Sequence, residues 1–263
     1  MNSTSSIRVE MQDGLATVSL AQAARGNPFD GDFTRDFKRV FLDLWNTQGL
    51  RAVLLRADGA NFSVGGDLKS FYPVRSELAP LVREWTADLH MGLQRAWQLP
   101  VPMVAAIQGF AMGGGAALLA GCDMVLAGES ARIGSAFAQL GFSCDSGSTV
   151  TLTARMGAAR ARRFVLMAEV LGSQEALAAG LIDQVVADEQ LQAAALALAQ
   201  RLAAGPTLAY GEIKRLFLRA GAAQMQALFE DEALTLARVA ASADAQEGIS
   251  AMVERRKPVF RGC

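Results

Sequence analysis

Two glycine-rich stretches offer the most chemistry in this chain. They are Asn61-Phe62-Ser63-Val64-Gly65-Gly66-Asp67 and Gly109-Phe110-Ala111-Met112-Gly113-Gly114-Gly115. Each follows an apolar, strand-like run, Leu50–Ala57 and Val101–Ile107, and each precedes a helical pattern. Glycine lets a backbone approach a ligand closely and adopt dihedrals that other residues avoid. A helix start leaves amide N–H groups unpaired and carries partial positive charge. Two such turns at the ends of neighbouring parallel strands could aim two N–H groups at one oxygen and hold a developing oxyanion. The plainer alternative is that these glycines only permit tight turns.

Other glycine motifs do not fit. No Lys follows Gly115, as a P-loop requires, and neither turn has the G-x-G-x-x-G spacing of a dinucleotide site.

The elements that must position these turns follow from the pattern. The hairpin Ile7–Glu10 and Leu15–Leu20 closes on Asp13-Gly14. Phe33, Phe37, Val40, Phe41, Leu44 and Trp45 mark one face of a helix over Asp32–Trp45. The spacing then predicts a helix ending near Leu99, a short helix into Gly121, a strand at Asp123–Ala127, helices at Gly147–Met156 and Ala158–Met167, and a strand at Ile182–Ala187. Ala131–Asp145 holds no long regular pattern. From Glu189 onward the chain reads as helical, broken at Gly205-Pro206. Strands alternating with helices imply a parallel α/β sheet with crossover helices. We place a core at residues 1–201 and a helical region at 202–263, whose apolar faces must be covered by the core or another subunit.

The chain has 263 residues, 51% of them hydrophobic, and a net charge of −1. It can bury a sizeable core and has no electrostatic case for nucleic acid. Val101–Gly121 is long and apolar enough to span a membrane, but its proline and glycines fit a buried strand, turn and helix better. Three cysteines show neither metal spacing nor an even framework, and Met1–Ser6 does not open like a secretory signal. A cytoplasmic protein with no metal is expected.

At these residues the chain resembles the crotonase (enoyl-CoA hydratase/isomerase) superfamily. The matching pieces are Asn61–Leu68, Pro102–Asp123, Gly128–Gly141, Gly157–Ala161, Ala176–Val186 and Asp244–Gly262. The resemblance implies a ββα spiral core with a C-terminal helical trimerisation region, and a trimer or hexamer. It implies an acyl-CoA thioester substrate, with coenzyme A arriving as part of it and no separate cofactor. It also assigns the oxyanion hole to the backbone N–H groups of Gly66 and Gly114.

The departures narrow the chemistry. Where hydratases of the family carry two catalytic glutamates, this chain has Ala117 and Phe137. Neither side chain can move a proton, so hydration by two glutamates is not expected. One acid remains in the region, Asp145. A lone aspartate sits here in the isomerase branch, which includes the ring-opening isomerase of bacterial phenylacetate degradation. Ala136–Gly141 resembles that branch too, although Cys144 replaces its usual proline. Asp145 also reads as an N-cap for the Gly147–Met156 helix.

Phe62, Val64, Asp67, Leu68, Phe137, Phe142, Lys257 and Phe260 are the candidate substrate-binding residues. Asp67 reads also as a helix cap, and Arg255, Arg256, Lys257 and Arg261 are candidate contacts for the phosphates of coenzyme A. His90, the sole histidine, reads either as an ordinary packed or surface residue or, as in the related 4-chlorobenzoyl-CoA dehalogenase, as a helper in hydrolysing an ester formed on Asp145. Cys144 lacks the electropositive setting a reactive thiol needs. The expected activity is acyl-CoA isomerisation through an oxyanion-stabilised dienolate with Asp145 as acid and base. The alternatives are an aspartate-nucleophile dehalogenase or hydrolase, and a catalytically degenerate member that only binds acyl-CoA.

Overall fold

The computed structural model describes residues 4–222 and 225–262. Met1–Ser3 of the opening segment, Ala223, Gln224 and Cys263 lie outside the described residues.

Strands β1 (Ile7–Gln12) and β2 (Leu15–Leu20) form the expected antiparallel hairpin. Asp13 and Gly14 take positive φ in its turn, as a two-residue connection requires. β3 (Pro28–Phe29) leads into α1 (Gly31–Trp45). Asp30 caps this helix, its Oδ1 accepting the Phe33 N–H at 2.8 Å, a contact commonly worth ~1 kcal/mol. Phe33, Phe37, Val40, Phe41 and Leu44 are buried along one stripe. Full burial of such a side chain contributes about 1.5–3 kcal/mol, so the stripe and not helix propensity docks α1.

The pattern then repeats as strand, strand, helix. β4 (Ala52–Ala57) is followed by β5 (Gly65–Gly66), α2 (Leu68–Phe71) and α3 (Leu78–Gln98). β6 (Met103–Ile107) is followed by β7 (Phe110–Met112) and α4 (Gly114–Ala120). β8 (Met124–Gly128) is followed by β9 (Arg132–Gly134), α5 (Ser148–Met156) and α6 (Ala158–Leu166). β10 (Val170–Gly172), α7 (Ser173–Ala178), β11 (Gln184–Val186) and α8 (Leu191–Ala203) complete the sheet-bearing part.

The large sheet has the order β1-β2-β4-β6-β8-β11, parallel from β2 onward. The second strands of the units form separate small sheets, β10-β9-β7 and β3-β5. This is the ββα arrangement that the resemblance implied. The apolar run from Val101 to Gly121 divides into β6, β7 and α4, and no helix among the described residues is long and apolar enough to cross a membrane.

Helices α9 (Thr207–Ala222), α10 (Met225–Ala240) and α11 (Ala243–Val253) end the chain. The division at 201/202 falls inside α8, which packs Leu191, Ala195, Ala199 and Leu202 against the sheet through Leu54, Val104 and Leu126. The break comes after it, at Gly205-Pro206. α10 lies against α3, and α11 against α2 and the turn at 138–140. The helical end thus covers part of its own core, and Leu236, Ala240 and Ile249 join Phe71, Leu78 and Val82 in one buried cluster.

Candidate active site

The two glycine turns are fastened to each other. Phe62 N–H donates to Gln108 C=O at 2.9 Å, Ser63 N–H to Phe110 C=O at 2.9 Å, and Met112 N–H to Ser63 C=O at 3.0 Å. Glycine is required where the strands draw closest. A Cβ on Gly65 (φ 81°) would stand 2.8 Å from the Met112 carbonyl oxygen, and one on Gly109 (φ 56°) 2.0 Å from that of Ala60. The plain structural reading therefore holds for Gly65 and Gly109.

Gly66 and Gly114 differ, because their amides have no assigned work in the fold. On either side of Gly66, the Gly65 N–H goes to Ser63 Oγ at 3.1 Å and the Asp67 N–H to Phe29 C=O at 3.2 Å. Gly114 is the first residue of α4, where an amide has no partner within the helix. Both glycines line one cavity of about 260 Å³. Its wall is largely apolar, with Phe29, Leu68, Phe71, Trp85, Phe137 and Phe142 among its residues.

Asp145 lies on the same wall and is, among the described residues, its sole one with an ionisable side chain. Burial pushes its carboxyl up from 3.8 to about 7, the negative charge of Glu232 adds to the rise, and the Ser146 hydroxyl opposes it. Ser146 Oγ donates to Asp145 Oδ1 at 3.0 Å. A carboxyl that exchanges its proton near neutrality suits general acid–base work.

Asp145 is not the cap of α5. Gly147 holds the cap position at φ 72° and offers no side chain. The free amides there go instead to Glu232 of α10. Its Oε2 accepts the Gly147 N–H at 2.7 Å, and its Oε1 accepts the Thr149 N–H at 3.0 Å and the Thr149 hydroxyl at 2.6 Å. Sequence reasoning did not single out Glu232. A signal existed, since Phe229, Glu232, Leu236 and Ala240 share one buried helical stripe, where an acid is out of place.

Residues 10–263 match the enoyl-CoA hydratase/isomerase family. The chain belongs to that family. It is 33% identical to a protein of Rhodobacter capsulatus named "Probable enoyl-CoA hydratase", over 97% of this chain and 98% of that one. It is 32% identical to the 1,2-epoxyphenylacetyl-CoA isomerase of Escherichia coli, over 96% and 97%. The crystal structure of an enoyl-CoA hydratase from Mycobacterium avium superposes with a TM-score of 0.89 at 25% identity, covering 98% of this chain and 99% of that one. The family acts on acyl-CoA thioesters, and both hydratase and isomerase names occur among these relatives.

In this enoyl-CoA hydratase/isomerase chain, four of the candidate substrate-binding residues, Val64, Leu68, Phe137 and Phe142, line the cavity. Four other candidates do not. Phe62 is fully buried in the core, under the turn rather than on the wall. Asp67 makes no cap; its carboxylate pairs with Arg25 and accepts the Ser70 hydroxyl. Lys257 is exposed on the tail and is not part of the cavity wall. Phe260 borders a neighbouring groove that shares only Gln139 and Met252 with the cavity wall.

The tail itself is strapped down. Arg256 is paired with Glu247 and Glu254, and the Arg261 and Gly262 N–H groups each donate to Asp244 at 2.7 Å. Of the four basic candidates for coenzyme A phosphates, Arg256 is thus already neutralised.

Ala117 is fully buried within α4 and off the cavity wall, so this glutamate position is closed by packing. Phe137 stands on the wall itself. His90 lies outside the cavity, stacked on Phe229 with ring centroids 4.7 Å apart. Burial lowers it from 6.5 to about 4, so it is neutral at pH 7. Cys144 is a protonated thiol, pushed up to about 12 by burial and by Glu232 and Asp145.

Proposed function

We propose that this chain is an acyl-CoA isomerase that moves a proton with Asp145 alone. One observation carries the reading: the cavity lined by Gly66 and Gly114 holds, among the described residues, a single acid–base group, and burial raises its carboxyl to about 7. The thioester oxygen accepts the two N–H groups. Asp145 takes a proton from one carbon of a β,γ-unsaturated or ring-type acyl group, and the electron pair spreads over a dienolate ending on that oxygen. The same carboxyl returns the proton two carbons away. No water enters and no atom is lost, so a second glutamate has no task. The 32%-identical isomerase of Escherichia coli supports the same class.

The nucleophilic alternative gains nothing from the geometry, because His90 is not among the residues that line the cavity with Asp145. The test is a panel of unsaturated and aromatic acyl-CoA thioesters assayed for double-bond migration, hydration and hydrolysis. Migration or ring opening without hydration is the expected result. Hydration as the main reaction, or binding without turnover across the panel, would overturn the reading.

We also propose that the protein works as a trimer or pair of trimers. α9 leaves Ile213, Leu216 and Phe217 exposed on one side, Phe217 at 79%, an apolar face that no described residue covers. Sedimentation at micromolar concentration is expected to give three or six chains, and a strict monomer would contradict this.

A further inference from the structure

We propose that Glu232 is a positioning residue for Asp145, clamping the start of α5 and setting a second negative charge beside the Asp145-Ser146 turn. The inference rests on reading Asp145 as the acid–base group. Glu232 comes from α10, 85 residues beyond Gly147. Its side chain is 5% exposed, and three donors converge on its two oxygens. A helix start needs a cap, but a serine or asparagine would serve at lower desolvation cost. A buried full charge at that place does something a neutral cap would not.

The surroundings show what. The three donated hydrogen bonds favour the anion of Glu232, since each is aimed at a carboxylate oxygen. Burial works the other way, is the larger influence, and leaves the carboxyl raised. Facing Glu232 from α3, His90 Nε2 lies 4.0 Å from Oε2, buried and without a hydrogen-bond partner. Because His90 is neutral, it does not cancel the charge. Beside Asp145 in the chain, Cys144 is a neutral thiol. The other wall elements bring only uncharged residues, with Gly114 from α4, Gln139 and Leu140 from the turn, Leu68 and Phe71 from α2, and Met252 from α11. Among the described residues Glu232 is therefore the one charge set against Asp145, and a like charge favours the protonated carboxyl. The C-terminal helices would thus tune the base as well as cover the core.

The test reads Asp145 without substrate. Carboxyl 13C resonances of labelled aspartate are titrated in the wild type and assigned with Asp145→Asn. Asp145 should ionise near 7 in the wild type. In Glu232→Gln its midpoint should fall by roughly 1 unit or more, while Glu232→Asp, which keeps the charge, should stay near the wild-type value. An unchanged midpoint in Glu232→Gln would make Glu232 a structural clamp only and overturn the proposal. A fall of equal size in Glu232→Asp would also overturn it, as would a wild-type Asp145 ionising near 4. The last result needs no variant to fold. Failure of the isomerase reading would appear separately, as absent proton transfer in the thioester panel.

Discussion

Asp145→Asn is expected to lower isomerisation by ~100- to 10,000-fold, the usual worth of general acid–base help, while acyl-CoA binding persists. The substitution is cleaner than the sequence suggested. The amides at the start of α5 belong to Glu232, so asparagine at 145 removes no helix cap. The same variant should be more stable than the wild type at pH 8. The folded carboxyl titrates near 7 against an ordinary 3.8. Between those values the folded state binds the extra proton, so the stability it confers is present below about pH 4 and is lost as pH rises to 7. Above 7 the wild type holds a half-buried anion at a cost of up to ~4 kcal/mol, which asparagine relieves. At roughly 2–4 °C per kcal/mol, melting curves at pH 8 should show a gain that vanishes at pH 4. A gain of equal size at both pH values would mean that the carboxyl is not raised.

The second large effect is expected at Gly114. Gly114→Pro removes the N–H outright while proline remains acceptable at the first position of a helix. Losing one oxyanion donor typically lowers rates ~100- to 1000-fold. The structure adds a steric part, because a Cβ at 114 would come within 2.8 Å of the Phe29 ring and 2.9 Å of Ser146 Oγ. Gly114→Ala carries that crowding but keeps the donor, so it is the control. Activity in the proline variant should fall at least ~100-fold below the alanine variant, with circular dichroism unchanged in both. Equal activities would remove the Gly114 amide from the mechanism.

Much of this site was legible in the chain, for physical reasons that also mark the limit. Long elements declare themselves: the stripe of α1 and the buried strands β4 and β6 fell within a few residues of their expected places. The second strands of each unit did not. β3 and β5 have two residues each and β7, β9 and β10 three, too few for alternation to register, and their partners are distant in sequence. The glycine turns were visible because glycine is costly anywhere it is not needed. The resemblance singled out Gly66 and Gly114, but nothing in the residue types said why Gly65 does not serve: both Gly65 and Gly66 line the cavity, and the Gly65 N–H is taken by Ser63 Oγ. Phe62 and Phe142 look alike as letters, yet one is core and the other faces the cavity. Asp145 before Ser-Gly-Ser looked like a cap, and the competitor that took its amides lies more than eighty residues later.

The central claim is that one carboxyl removes and returns the same substrate proton. Deuterium exchange in D2O measures this directly, by NMR of the acyl group of a substrate found in the thioester panel. The wild type should place deuterium at the α- or γ-carbon during turnover, and Asp145→Asn should lose exchange and turnover in parallel. Exchange that survives in Asp145→Asn would contradict the account, as would a covalent acyl- or aryl-aspartate at residue 145 in a wild type that never exchanged.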